Sequence, residues 1–411
     1  MTTTDILDSF SEVSREYILS KDKAKAMSNL MNSSFFKEKI HLSHIPKDPK
    51  DTFIKTPRKM AFVIPYWIYG GGSTNSAKWA QSVRNHGGEW GSELITGSAS
   101  GRPPKAMRSD FPHTLLKWKD KDFVINYFRN FEFVVIWDCD PFDIGLTGLT
   151  EFPSWTEAFL GIDVPIVLFV CRTHVLDIKK SVFYEMLRLN KHVRAVGACR
   201  ERLQELAEPF GLPTFSFNHH PVEVPEFQPT KFSERPVILY MGRIVFSKRI
   251  PEMVKASELV KSHLRFEMWG TFYGRSGYKM NLKCPSLDKI YVGPYSFSML
   301  DDIYSRASFV VDLSNAQGDG GMQNIAMEAM ERGVIPIVTK GWDTAPGMLS
   351  AGEKIGRVTV EDAVDGFTKA SHITEEEAVF LQFQSWDWLC KNRDPKVLVK
   401  EMINFVCEKV L

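Results

Sequence analysis

The sequence predicts an α/β protein made of two doubly wound, Rossmann-like halves, each a parallel sheet covered by helices on both faces. Three observations carry this. Short, continuously apolar runs alternate with stretches of helical periodicity, as buried parallel strands and their covering helices do. A polar, proline-rich segment at 218–236 interrupts the alternation, which then restarts. Several of the apolar runs after that segment stop at a glycine.

Residues 1–58 are polar, with Ile6, Leu7, Phe10 and Val13 near helical spacing, and Pro46, Pro49 and Pro57 break the stretch. A helical N-terminal extension is expected there. The first domain, 59–222, opens with a strand at 61–64. The loop Gly70-Gly71-Gly72-Ser73-Thr74 follows, and then a helix with Ser76, Ala77, Ala80 and Val83 on one face, stopped at Gly87-Gly88. Strands are expected at 131–137, 166–170, 193–197 and 213–217. The second domain, 236–380, begins with a strand at 237–241. Its first helix has Pro251 in the opening turn and Ile250, Met253, Val254, Ser257 and Val260 on one face. Strands at 266–269, 289–292, 309–313 and 334–339 complete the second sheet. The acidic run at 374–377 opens C-terminal helices, of which 381–411 are expected to pack back toward the first domain. Two such halves face each other across a cleft, where ligands bind.

Composition bounds the function. The chain has 411 residues, 44% of them hydrophobic, enough for a large core. Fifty-one Lys and Arg against 50 Asp and Glu leave a net charge of +1, so there is no global field for nucleic acid or membrane, although a local basic groove remains open. No apolar run approaches the roughly 18 residues of a transmembrane helix. The N-terminus has early acids and no apolar secretory core, so a cytoplasmic location is expected. The six cysteines form no C-x-x-C pair, which argues against a zinc or iron–sulfur framework.

Four segments carry side chains suited to chemistry. Gly71, Gly72 and Ser73 lie between a strand and a helix, where backbone can approach a ligand and helix N–H groups point at it; a plain β–α turn is the alternative. The loop is not G-x-G-x-x-G. Glu89 and Glu93 do not stand at the end of a second strand, so a dinucleotide oxidoreductase is disfavoured. Arg243 and Lys248 follow a strand as Gly-Arg-x-x-x-x-Lys. Such a pair suits a diphosphate, Arg as a fork and Lys as a point charge; a solvated basic loop is the alternative. The segment 314–339, SNAQGDGGMQNIAMEAMERGVIPIVT, runs from a strand end through Gly318, Gly320 and Gly321 into a helix whose N–H groups could donate to phosphate oxygens. Glu328 within that helix could accept both hydroxyls of a ribose, or simply face solvent. Asp138-Cys139-Asp140 has the spacing of an Asp-x-Asp pair for Mg²⁺ or Mn²⁺. Since the second half already supplies cations, no metal is expected to be required.

In their order and spacing, the loop 70–74, Gly242-Arg243-x-x-x-x-Lys248 and the stretch 289–339 resemble the retaining, GT-B-fold nucleotide-sugar glycosyltransferases, over roughly residues 59–411. The group is typified by sucrose and bacterial surface-polysaccharide transferases. The resemblance implies that Arg243 and Lys248 bind the donor diphosphate and stabilise the leaving group, and that Glu328 binds the ribose. It implies that the backbone of 319–324, including Gly320, Gly321, Met322, Gln323 and Asn324, contacts phosphate and sugar. It places His174 against the transferred sugar, with Arg172 beside it and Asp138 or Asp140 toward the acceptor. Two positions depart from the pattern. Gly320 stands where the family has a further glutamate, with Asp319 beside it as the substitute, and Arg249 stands where a glycine follows the lysine.

More narrowly, C-R-T-H-V-L-D-I-K-K at 171–180, the G-G-G-S-T loop and the region 299–342 are similar to bacteriophage DNA α-glucosyltransferases, which modify 5-hydroxymethylcytosine. That implies transfer from a UDP-sugar to hydroxymethylated double-stranded DNA, with anomeric retention by a front-face route, in the host cytoplasm. A saccharide or lipid acceptor, or a catalytically silent nucleotide-sugar-binding protein, is the alternative. Arg102, Lys105, Arg108, Lys117, Lys119 and Lys121, interleaved with Trp118, have the composition of a nucleic-acid surface and equally that of a solvated loop.

Overall fold

The computed structural model describes residues 58–65, 71–98, 111–137, 152–170, 190–198, 211–216, 221–272, 280, 284–314, 324–339, 345–352 and 358–411. The extension expected at 1–57 lies outside them. The chain divides into two compact units, 1–221 with 395–411, and 222–394.

The first unit is built on a sheet of β1 (Arg58–Ile64), β2 (Trp90–Ser98), β3 (Thr114–Lys117), β4 (Phe133–Trp137), β5 (Ile166–Val170), β6 (Val193–Ala198) and β7 (Thr214–Ser216). Their order is β3-β2-β1-β4-β5-β6-β7, with every pairing parallel. Each residue of β4 is buried, which is why the run at 133–137 is apolar throughout rather than alternating. Helix α1 (Gly71–His86) packs on β1 and β2 through Ala77, Ala80 and Val83, all buried. It begins at Gly71, so Gly71, Gly72 and Ser73 form its first turn rather than a preceding loop. Helices α2 (Lys121–Phe128) and α3 (Phe152–Gly161) pack on each other.

The second unit holds β8 (Val237–Ile244), helix α4 (Ile250–Leu259), β9 (Arg265–Phe272), β10 (Tyr291–Gly293), helix α5 (Leu300–Tyr304), β11 (Phe309–Asp312), helix α6 (Asn324–Met330), β12 (Ile335–Thr339), β13 (Leu349–Ala351), helix α7 (Val360–His372) and helix α8 (Glu375–Asn392). Its strands run β10-β9-β8-β11-β12-β13, again parallel. Helices α4 and α7 pack together, while α6 packs on β11 and β12. At the carboxyl ends of β8 and β9, Gly242 is in register with Gly270. A β-carbon at Gly270 would sit 1.8 Å from the carbonyl oxygen of Gly242, so no larger residue fits there.

Helices α7 and α8 each start with a capping box, Thr359 with Asp362 and Thr374 with Glu377. The polar segment ahead of β8 lies along α8. The Glu375 carboxylate accepts the backbone N–H groups of Phe232 (2.8 Å) and Ser233 (2.6 Å), and the Trp386 indole donates to the Pro225 carbonyl (2.8 Å). The Gln382 side chain both donates to and accepts from Thr230. These bonds hold α8 to the second unit, so the return to the first unit is made by the last helix alone, α9 (Pro395–Lys409), and not by all of 381–411. Helix α9 packs on α1 and buries Val399, Met402 and Val406. The same bonds put 222–235 within the second unit rather than ahead of it.

Candidate active site

The chemistry-bearing residues that the structure brings together lie at the carboxyl ends of β8 and β11. Arg243 is the penultimate residue of β8 and is exposed. Two residues before Gly242, Tyr240 is fully buried, and its hydroxyl donates to the carbonyl oxygen of Arg243 (2.7 Å). The guanidinium therefore extends from a fixed stretch of backbone. Burial first, and then the nearby Asp312 carboxylate, push the Tyr240 phenol far above its ordinary range, so it stays a protonated donor.

After β8 the chain makes a 3-10 turn at Phe246–Lys248, then Arg249 adopts φ 57° and ψ 35°, the left-handed conformation. Glycine adopts this region most readily, and here an arginine bears the conformational cost. The Arg249 side chain pairs with Glu252 in the first turn of α4 (3.3 Å), where a carboxylate also complements the helix dipole.

The turn carries Lys248 across to β11. Its ammonium donates to Asp312 Oδ2 (3.0 Å) and to Ser314 Oγ (3.2 Å). The other carboxylate oxygen, Oδ1, accepts from the Ser314 amide (2.9 Å) and hydroxyl (2.5 Å). Asp312 is 3% exposed, whereas the Lys248 side chain retains 27% exposure. On the far side, the Ser314 carbonyl accepts from Thr339 Oγ1 at the end of β12 (3.1 Å). Three adjacent strand ends are thereby tied to one lysine.

Asn324 and Glu328 are on α6, both half-buried, while Ala326, Met327, Ala329 and Met330 form the buried face of that helix. The Glu328 carbonyl accepts from Arg332 (2.9 Å). Tyr304 is fully buried, and its phenol is pushed far up by burial and then by the Glu328 carboxylate. Gly333, at φ 65°, ends the helical segment.

Of the residues singled out in the sequence, Arg243, Lys248, Asn324 and Glu328 are thus placed in one unit. The backbone of Gly71, Gly72 and Ser73 forms the N-terminal turn of α1 in the other. Asp138, Asp140, Arg172, His174, Asp319, Gly320, Gly321, Met322 and Gln323 lie outside the described residues, as do Arg102, Lys105 and Arg108. Lys117, Lys119 and Lys121 are exposed. Trp118 is not available as a stacking surface. It is fully buried, its indole donates to the Pro65 carbonyl (2.9 Å), and its ring lies 4.9 Å from that of Trp155. Glu93 is likewise no ribose ligand: it lies mid-strand in β2, buried, accepting from the hydroxyls of Thr114 and Tyr127. Sequence reading passed over Asp312, Ser314 and Tyr240. The available signal was an acid inside the apolar run FVVDL, since a buried carboxylate needs a partner. No group of three or more potential metal ligands is present among the described residues, and no helix among them is long and apolar enough to cross a membrane.

Two parallel α/β units with these strand orders define the GT-B fold, the fold of a large class of glycosyltransferases. Solved structures share it across most of the chain. An α-glucosyltransferase in complex with UDP and a 13-mer DNA containing an HMU base superimposes with a TM-score of 0.66 at 13% identity, over 85% of this chain and 99% of that one. Anabaena Alr3699/HepE in complex with UDP and glucose gives 0.60 at 10% identity, over 86% of this chain and 100% of that one. A glycosyltransferase from Rickettsia africae gives 0.59 at 13%, over 85% and 98%. At these identities the likeness is one of fold. No family profile and no curated protein sequence matches the chain.

Proposed function

We propose that this protein is a retaining glycosyltransferase that moves a sugar from a UDP-sugar to an acceptor hydroxyl. The observation that carries the reading is the cation pair at the carboxyl end of β8: Arg243 exposed, and Lys248 held across to β11 with its side chain still partly exposed. The difficult step is departure of the nucleoside diphosphate, as the bond from the anomeric carbon to the β-phosphate oxygen breaks. Preorganised cations aimed at that oxygen lower the barrier because they need not reorganise as charge develops. Arg243 offers a fork to two phosphate oxygens and Lys248 a point charge. Glu328 is assigned to the ribose hydroxyls, and the first-turn N–H groups of α1 to the sugar or its phosphate. In a front-face displacement the acceptor oxygen bonds to the same face of the anomeric carbon, and its proton leaves on the departing phosphate. Asp319 and His174 are assigned to the transferred sugar.

The acceptor we favour is a hydroxymethylated pyrimidine in duplex DNA. Support comes from the segment 171–180 and from the solved α-glucosyltransferases of this fold held with UDP and DNA. The two arginine and lysine cations do the work otherwise given to a divalent ion, so turnover is expected to survive EDTA.

The test is the intact mass of a short duplex containing 5-hydroxymethylcytosine after incubation with UDP-sugars, with an unmodified duplex as control. A sugar increment on the modified duplex alone is the expected result. UDP binding without any increment would move the acceptor to a saccharide or lipid. Absence of nucleotide binding would overturn the enzyme assignment itself.

A further inference from the structure

Lys248 is the residue on which the proposed chemistry leans, and the structure shows it already engaged. Its partner is a buried carboxylate at the last position of β11, backed by the hydroxyl of Ser314. An ammonium paired in this way delivers less than a full positive charge to any second anion. A lysine recruited only for charge would be better left unpaired. The pair therefore needs a reason.

The geometry points to Asp312 as a positioning residue that acts through Lys248, trading ground-state affinity for the donor diphosphate against correct placement of the ammonium as the leaving group departs. This inference rests on the proposed role of Lys248 as a phosphate ligand. Three features support it. The carboxylate is itself fixed by two bonds from Ser314, one from backbone and one from side chain. Ser314 is in turn tied to β12 through Thr339. The turn that presents Lys248 includes a backbone bond from its own amide to the Val245 carbonyl (3.1 Å) and ends on the left-handed Arg249. Both ends of the lysine are thus constrained, the Cα by the turn and the ammonium by Asp312, whereas a flexible four-carbon side chain would otherwise sample many rotamers.

Such an arrangement makes an uncommon demand on a mutant. Replacing Asp312 with Asn removes a negative charge one ammonium away from the diphosphate and frees the lysine. UDP should then bind more tightly while turnover falls. A purely structural carboxylate, once removed, would weaken both. The experiment compares wild type, Asp312→Asn, Lys248→Ala and the double variant. It measures UDP affinity by calorimetry and UDP release from UDP-glucose, by water or by a 5-hydroxymethylcytosine duplex, with thermal melting of each protein. Expected for Asp312→Asn is UDP affinity raised about threefold to tenfold and turnover lowered about tenfold to a hundredfold. In the Lys248→Ala background the same substitution should change neither, because its effect passes through the lysine. Turnover and affinity falling together, either value left as in wild type, or a further drop in the Lys248→Ala background would overturn the inference. If Asp312→Asn does not fold, Ser314→Ala keeps the charge and removes one partner of the ammonium. It should lower turnover about threefold to tenfold, again only when Lys248 is present, and an unchanged rate would overturn the inference. Failure of the wild-type protein to bind UDP is a separate outcome, which removes the phosphate role of Lys248 and the inference with it.

Discussion

Each of the two sheets buries a carboxyl group in a parallel strand, and each satisfies it differently. In the first unit Glu93 sits mid-strand in β2 and accepts from two neutral hydroxyls, those of Thr114 and Tyr127. In the second, Asp312 ends β11 and pairs with a cation that keeps contact with solvent. Position along the strand explains the difference. Mid-strand, a side chain meets only neighbouring elements, so polarity there can serve the sheet and nothing else. At the carboxyl end of a parallel strand the covering helices give way to loops, and a charged group can be anchored and still face a ligand. A buried acid is therefore a weak marker of function until its partner and its place on the strand are known.

The largest effect that would sharpen this comparison is on rate. Arg243→Ala and Lys248→Ala should each lower turnover by about 10²- to 10³-fold, the usual cost of removing one stabilising donor from a developing oxyanion. The two should differ in stability. Arg243 is exposed and its loss should leave the melting temperature within a degree or two, whereas Lys248→Ala strands Asp312 and should cost about 1–3 kcal/mol. Equal melting temperatures would mean that the Asp312 pair contributes nothing to the fold.

Next in size is Glu93→Leu. It leaves two half-buried hydroxyls without their acceptor and Arg84 with less counter-charge, and should cost about 1–3 kcal/mol in urea denaturation. Turnover per folded molecule should be unchanged, and a selective loss of rate would break the comparison. The smallest effect is expected for Arg249→Gly. Glycine relieves a left-handed residue by about 1 kcal/mol, and loss of the pair with Glu252 costs a similar amount, so the net change in stability should lie within about 1 kcal/mol of zero.

Legibility in the sequence followed the same physics. Strands β4, β5, β8, β11 and β12 could be read because burial on both faces makes them continuous apolar runs. Strand β2 could not. It is as buried as its neighbours, yet Ser92, Glu93, Thr96 and Ser98 are among its buried residues. The polarity of Ser92, for one, is met by Ala80, a residue on another element, which a sequence window cannot see. Strands β3 and β13 lie partly exposed at the sheet edges and offer no continuous apolar run. The site divides the same way. Arg243 and Lys248 stand in a local motif beside a strand end, and Glu328 stands in a helix readable from its own apolar face. Asp312 acquires meaning only from a lysine 64 residues earlier in the chain, and Tyr240 only from a carbonyl that its hydroxyl reaches after the strand has formed.

Helix α9 follows the second unit in the chain yet belongs to the first, where Val399, Met402 and Val406 are buried and the helix packs on α1. During synthesis the second unit is therefore complete before the first one is. Until α9 has left the ribosome, α1 lacks its covering, and the apolar surface meant for it stays open to wrong partners. A chain cut short ahead of α9 would accordingly damage the half of the protein that was translated first.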